Sequence, residues 1–516
     1  MQGLYPFFAI VATDWRERTR SHRFWATLAA TAGLAWLCFP SASANYIVLG
    51  INGHHRGLYS SAWIGMVLAM LSIWTSLVGF YLVRGSLTRD FDTRVWELVE
   101  ATPLKRGTYL AAKWCGNFAV LLSVLGVQLL VGVVAQLWRA EDSVLRLGAM
   151  LSPVLLIGVP TTAMTAMFAL WFDLLPPLRR TLGNFVYFLL WIAIPVSMVR
   201  SFDTLPLHGW ISDPYGITIF QQLVQDRLAT QLSQPLSGCG VCALGTRELG
   251  TFDWAPWVMP PLQVLGRAAW LAIPLLGVVL AAPLLDRYGS TRHHATAATR
   301  RWSPGLPRVV SRMLGRAFGG SRAGVLLEAE LRLALYGRSP WWWLALAAAM
   351  AAQALSGAPA QASYALMATW ILMAQVAAAP AMREIDSGAG PLVFCAPHAV
   401  RRILLARWLG AALLLVISTL PALLRFAAAA PDAAAATLAV DLSLATWALL
   451  LAAVTRTART AELAVFVLAY LGMQGLPLLE VTRAPMWTLQ VHAALLPLSA
   501  LLAWLAWPRM VARSVS

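Results

Sequence analysis

The sequence predicts an all-α polytopic membrane protein of about twelve transmembrane helices, arranged as two six-helix repeats that form a pseudo-dimer within one chain. Three observations predict this. The composition is 59% hydrophobic and only 12% charged, with a mean hydropathy of +0.66, which is outside the range of soluble globular domains. Apolar runs of about twenty residues recur along the chain, each long enough to cross a hydrocarbon core about 30 Å thick. They are continuous rather than short and alternating, which favours helices over a barrel. Finally, a polar, basic stretch between two such runs returns 294 residues later.

Residues 3–23 read as an amphipathic segment lying on the membrane surface, with Phe7, Phe8, Ile10, Val11 and Trp15 toward lipid and Arg16, Arg18, Arg20 and Arg23 toward headgroups. The opening has no basic cluster ahead of an apolar core, so it is not expected to be a cleaved leader. Spans are expected at 24–41 and 61–83, then at 111–137 and 146–171 around the charged turn RAEDSVLR, and at 182–199 after DLLPPLRRT. A polar segment over 201–262 follows on the outside, with five acids against two arginines and the interface-suited patch FDWAPW. A sixth span at 263–285 completes the first repeat, residues 1–285.

The linker, residues 286–322, holds eight arginines and no acid after Asp286. It reads as a solvated or headgroup-hugging cytoplasmic connector. The second repeat, 323–516, places spans near 340–357, 363–382, 404–426, 434–454, 461–480 and 490–508, with Val325–Trp343 echoing the amphipathic opening. Its last outer loop is reduced to VTRAPMWTLQ.

A net charge of +16 invites a nucleic-acid reading, but the distribution opposes it. With the termini cytoplasmic, all of the 39 Lys and Arg lie inside except Arg56, Arg139, Arg146, Arg200, Arg227, Arg247, Arg267, Arg425 and Arg483. That is the positive-inside bias, and no nucleic-acid partner is expected.

The repeated stretch runs from Arg84 to Asn117. Arg89, Asp92, Leu98, Val99, Pro103, Leu110, Ala112, Trp114 and Gly116 meet Arg383, Asp386, Leu392, Val393, Pro397, Leu404, Ala406, Trp408 and Gly410, while Asp90/Glu384 and Lys113/Arg407 keep charge. An internal repeat of this kind governs the fold expectation. The pattern R-[DE]-x-D, a Pro-containing turn and then [KR]-W-x-G resembles the membrane subunits of ABC-2-type transporters, in the loop between their second and third helices. ELVEATPLKRGTYLAAKWCG follows the family wording well; the second copy, PLVFCAPHAVRRILLARWLG, is degenerate and loses both glutamates. The motif covers about thirty residues per half, and beyond it the likeness is one of topology.

The resemblance implies in-plane elbow helices at both starts, and a coupling helix in each loop that docks on a separate ATPase. It also implies two copies of that cytoplasmic ATPase, which carry ATP and Mg; this chain holds no cofactor of its own. Membrane lipid is the other expected partner, and 201–262 offers room for an external one. In the first loop Trp96 is expected as an apolar anchor on the ATPase, with Glu97 and Glu100 as partners for basic residues and Pro103 ending the helix. Pro397 is the second copy's counterpart. Gly388, Gly390 and Pro391 stand where the first copy has Arg94, Trp96 and Glu97, so unequal contacts are expected, with the first half gripping more strongly. The implied role is the permease of an exporter of amphipathic substrates in a bacterial cytoplasmic membrane.

Other residues have both plain and functional readings. Arg89/Asp92 and Arg383/Asp386 are spaced as i, i+3 ion pairs at helix ends. Cys239 and Cys242 read as a disulfide closing a turn, with free thiols or redox chemistry as alternatives. Asp441 falls inside a span and would either line a path or pair with Arg425. His54-His55 and His293-His294 read as loop dipeptides, since neither has an HExxH setting. No GxxxxGK[ST] loop and no GxSxG occur, so neither ATP hydrolysis nor other catalysis is expected of this chain. A twelve-span carrier driven by an ion gradient is the main rival, with LLDRYGSTR as a weak echo of one such family. A membrane enzyme or a scaffold without transport activity are the others.

Overall fold

The computed structural model describes residues 5–515 apart from 43, 45, 94, 176–177, 179–180, 199–212, 233–236, 244–247, 286–307, 339, 358 and 474–477. The chain divides into two compact units, Met1–Ala297 and Ala298–Ser516, parting inside the expected linker.

In the first unit, α1 (Tyr5–Thr19) and α2 (His22–Leu37) are separate helices. The break is at Ser21, whose hydroxyl accepts the Phe24 N–H at 3.2 Å and so satisfies one of the orphan donors of a helix start. The amphipathic opening is therefore not an extension of the first span. Strands β1 (Tyr46–Ile51) and β2 (His55–Gly57) precede α3 (Ser61–Val83). Then come α4 (Ser86–Asp92), α5 (Val95–Glu100) and α6 (Arg106–Arg139). A broken helix follows: α7 (Leu147–Pro153), a π turn at Val154–Gly158 and α8 (Val159–Leu174). The unit closes with α9 (Thr181–Met198), α10 (Ile217–Leu232), β3 (Gly238–Ala243), β4 (Gly250–Phe252) and α11 (Pro261–Leu280).

Helix α3 is apolar on every side and is buried along most of its length, as such a helix must be. It packs against α6 and the whole α7–π–α8 run. A Cβ on its Gly65 would sit 2.4 Å from the Met150 carbonyl oxygen, so only glycine permits this approach. The π turn has a local cause. Pro160 lacks the N–H that would close on the Leu156 carbonyl in α-helical register. The buried Arg267 of α11 fills the gap, its Nε donating to that oxygen at 2.7 Å while its terminal nitrogens donate to the Asp213 and Pro214 carbonyls at 2.6 and 3.0 Å.

The four strands form one small sheet, unforeseen in the sequence, in the order β3-β1-β2-β4 beside the predominantly helical architecture. β1 pairs antiparallel with β2 and β3, and β4 lies parallel to β2. The stretch between α2 and α3 and the described residues of 213–262 are thus parts of one small subdomain, seated on Trp63, Phe220, Phe252 and Trp254. Arg56 of β2 ties it to the turn after α6, donating to Glu141 at 2.8 and 2.5 Å.

The second unit contains α12 (Arg308–Phe318), α13 (Arg322–Leu335), α14 (Pro340–Leu355), α15 (Pro359–Ala378) and the short α16 (Arg383–Asp386) and α17 (Gly390–Phe394). Four longer helices follow: α18 (Ala399–Ala429), α19 (Pro431–Thr455), α20 (Arg459–Met473) and α21 (Pro485–Val515). α19 packs between α18 and α21, and the core gathers around Trp370, Leu415 and Leu444.

A helix stands at each of the twelve expected span positions. Among the described residues, eight helices are long and apolar enough to cross a membrane, which makes this an integral membrane protein. Shorter apolar helices lie at Thr27–Leu37, Val186–Met198 and Trp341–Leu355, and α20 has only 15 residues.

Candidate coupling site

The polar turn between α3 and α6 is folded into α4 and α5 and locked to α1. Gly85 starts α4 in the left-handed region at φ 88°, a conformation that suits glycine. Its N–H donates to Asp173 Oδ2 at 2.8 Å. Trp96 of α5 is 7% exposed, stacked on Phe91 with ring centres 5.1 Å apart and 5.3 Å from Tyr109. The Tyr109 hydroxyl donates to Asp90 Oδ2 at 2.5 Å. The Lys113 ammonium, almost fully buried, lies 2.6 Å from Asp90 Oδ2 and 2.8 Å from Asp14 Oδ1 of α1. Arg89 reaches Glu17 at 2.9 Å and Asp14 at 3.8 Å. Gly116 explains the last letter of W-x-G: a Cβ there would meet Asp14 Cβ at 3.3 Å, so its absence lets α1 lie against α6.

The second unit contains the same pattern of charges. Arg407 of α18 donates to Glu384 of α16, and its Nε is 3.5 Å from Glu330 Oε1 of α13. Arg383 reaches Glu330 at 2.7 Å and Glu384 at 3.1 Å. Burial alone would raise the Glu384 carboxyl, but Arg407 and Arg383 outweigh it and hold the group below the ordinary carboxylate range. Gly410 again sits at the helix contact, with Leu327 and Leu331 of α13 each 3.7 Å from where its Cβ would be. The motif tryptophans also agree: Trp114 donates to the Ala163 carbonyl at 3.0 Å, and Trp408 to Thr446 Oγ1 at 2.8 Å. Each tethers the third expected span of its unit to the fourth.

Sequence comparison missed the two acids that complete these clusters. Asp14 and Glu330 lie off the 294-residue register that relates the loops. The available signal was an acid among the apolar positions of an amphipathic helix.

Several expected site residues sit differently. Trp96 is a buried internal anchor, not a free one, because Phe91 and Tyr109 flank it. Val95, Glu97, Glu100 and Pro103 are exposed, as are Leu392 and Pro397 beyond α16. The Asp92 side chain lies outside the described residues; Arg89 turns to Glu17 and Asp14. Arg383 does not close on Asp386 along its own helix but bonds Glu330 and Glu384. Helical side chains lean toward the helix N-terminus, and the first residue of this one-turn helix therefore leans toward α13.

Asp441 is fully buried on α19, with Trp370 Nε1 donating to Oδ1 and Thr419 Oγ1 to Oδ2, both at 2.7 Å. The expected pairing with Arg425 does not form. Arg425 donates to the Gln353 carbonyl at 2.5 Å and to the Ser356 hydroxyl and carbonyl at 2.7 and 2.6 Å. Thr419 stands level with Asp441, and Arg425 lies about 9 Å farther along α18.

Cys242 is disulfide-bonded. Cys239 belongs to the same strand, opposite Gly50, and its side chain lies outside the described residues. His54 and His55 pack ring against ring at 4.1 Å; His208, His293 and His294 lie outside the described residues. Among the described residues no cluster of His, Cys, Asp and Glu could hold a metal ion. No protein-family model, curated protein or solved structure matches this chain.

Proposed function

We propose that this chain is the membrane subunit of an ATP-driven exporter of the ABC-2 type, carrying both six-span halves of the pore. It would work in a bacterial cytoplasmic membrane with both termini inside. Two copies of a separate ATPase would supply ATP and Mg, and the cargo would be amphipathic: a lipid, peptide, glycan precursor or drug. The four shorter helices count as spans in this reading.

One observation carries the proposal: the buried charge cluster that fastens the turn after the second expected span to an amphipathic helix, built from corresponding residues in both units. A transporter moved by an outside motor needs such a fastening. The exposed Glu97 and Glu100 edge of α5 meets the ATPase, and its displacement passes through Trp96 and Tyr109 to Asp90 and Lys113, then to α1. The second unit has Ile385, Gly390 and Ile403 in place of Phe91, Trp96 and Tyr109, so its loop lacks the aromatic stack and transmits less.

The test is purification in mild detergent followed by mass spectrometry. A stoichiometric ATPase with a phosphate loop, lost in a Glu97→Ala/Glu100→Ala variant, supports the proposal. A chain that purifies without a partner sinks it. Asp441, an acid buried in a candidate span, favours the gradient-driven carrier as the second reading. Against that, both of its oxygens are already occupied by Trp370 and Thr419.

A further inference from the structure

The linker, expected as a solvated or headgroup-hugging connector, ends in the helix α12, Arg308–Phe318, docked on α13. The contact runs along Gly315, where a Cβ would lie 3.4 Å from Arg332 Nη2 and 3.5 Å from Glu328 Oε1. A turn at Gly319-Gly320 and the Ser321 cap, which accepts the Gly324 N–H at 3.0 Å, then start α13.

Arg312, Met313 and Arg316 of α12 are all exposed, Met313 by 65%. Arg312 and Arg316 are four residues apart and so share one face, and α12 contains no acid. Neither Arg312 nor Arg316 has a hydrogen-bond or ion-pair partner among the described residues. Val325 and Leu333 of α13 and its C-cap Tyr336 form an exposed apolar stripe, each more than half uncovered, while the opposite face carries Glu330 and Leu331 into the core. The remaining charges at the contact, Arg332 and Glu328, are paired with each other.

We infer that the α12–α13 hairpin is a docking surface for the anionic lipid headgroups of the leaflet it lies on. Val325, Leu333, Tyr336 and Met313 enter the apolar boundary of the bilayer, and Arg312 and Arg316 take the phosphates. Charge complementarity selects this occupant. A basic strip beside an apolar one on a membrane protein matches an anionic bilayer surface. The inference does not depend on an ATPase partner.

The experiment uses the full chain in detergent, titrated with phosphatidylglycerol or phosphatidylcholine, with bound lipid counted by native mass spectrometry and thermal unfolding followed in parallel. The wild type should retain phosphatidylglycerol preferentially and unfold at higher temperature with it. The Arg312→Gln/Arg316→Gln variant should lose that preference by roughly tenfold in affinity, while its melting in phosphatidylcholine stays unchanged. Raising the salt concentration should have the same effect on the wild type. An equal affinity of the wild type for both lipids, or a preference that survives the double substitution, overturns the inference. Met313→Ser is the second variant; it should weaken both lipids alike.

Discussion

Lys113 Nζ lies 2.8 Å from Asp14 Oδ1, joining α6 to α1 across ninety-nine residues of chain. The ammonium is nearly sealed from solvent and has a second carboxylate, Asp90, at 2.6 Å. Removing one member of a buried ionic group strands the others in a low-dielectric site. Lys113→Met should therefore cost about 3–5 kcal/mol, read as a loss of folded protein in detergent or a large fall in melting temperature. Lys113→Arg should recover most of it, since Arg407 holds the corresponding place in the second unit. A Lys113→Met protein as stable as wild type would remove the cluster's structural importance.

The two faces of α5 should separate in mutagenesis. Trp96→Ala empties a site between Phe91 and Tyr109 and should destabilise the first unit by about 3 kcal/mol. Glu97→Ala and Glu100→Ala alter only exposed side chains and should change stability by about 0.5 kcal/mol or less; if the proposed role holds, they should also abolish retention of the ATPase. Thermal unfolding and pull-down on the same preparations separate the two effects.

Arg267 and Pro160 should be coupled. Arg267→Met leaves the Leu156, Asp213 and Pro214 carbonyls without their donor, at a cost of about 1–3 kcal/mol for each buried group left unpaired. Pro160→Ala restores an amide on α8 that can close on Leu156. The double variant should then be less damaged than Arg267→Met alone. Strict additivity of the two changes would show that the guanidinium does not serve the break in the helix.

Acid should loosen the sheet subdomain through Glu141. Burial raises this carboxyl, but the hydrogen bonds from Arg56 and the Tyr59 N–H, together with the Arg56 charge, outweigh it and hold the group below its ordinary value. A depressed carboxylate contributes stability above its unfolded-state pKa, and the contribution is lost as pH falls through the folded-state value. Proteolysis of the β1–β2 region should therefore speed up as pH drops below about 4. Glu141→Gln should flatten that dependence.

Asp441 discriminates between the two transport readings. Asp441→Asn keeps an acceptor for Trp370 or Thr419 and should leave ATP-driven transport intact. A carrier that moves protons through this residue would lose its transport. Asp441→Leu leaves both donors unpaired and should destabilise the second unit by roughly 2 kcal/mol.

The sequence was most legible where periodicity and local chemistry determine structure. The apolar runs became helices, Pro103 follows the end of α5, and the glycine and tryptophan of W-x-G sit at helix contacts. What it hid were pairings between distant segments. Asp14 and Glu330 could not be matched by an offset that relates only the loops. In six residues of α5, helical period alone cannot tell which side meets the protein, so Trp96 was assigned to the wrong face. The strands of the sheet are three to six residues long and glycine-bearing, with partners in segments that looked like unrelated outer loops.

That sheet imposes an order on biogenesis. β1 and β2 leave the ribosome early but have no partner on either edge until β3 and β4 have been made, after five further long helices. Through that interval the hairpin waits with its outer edges unpaired, and loop closure of such length is slow. The subdomain thus closes only after most of the first unit has been made, and a nascent chain stalled before Gly238 would present two bare strand edges to proteases and chaperones.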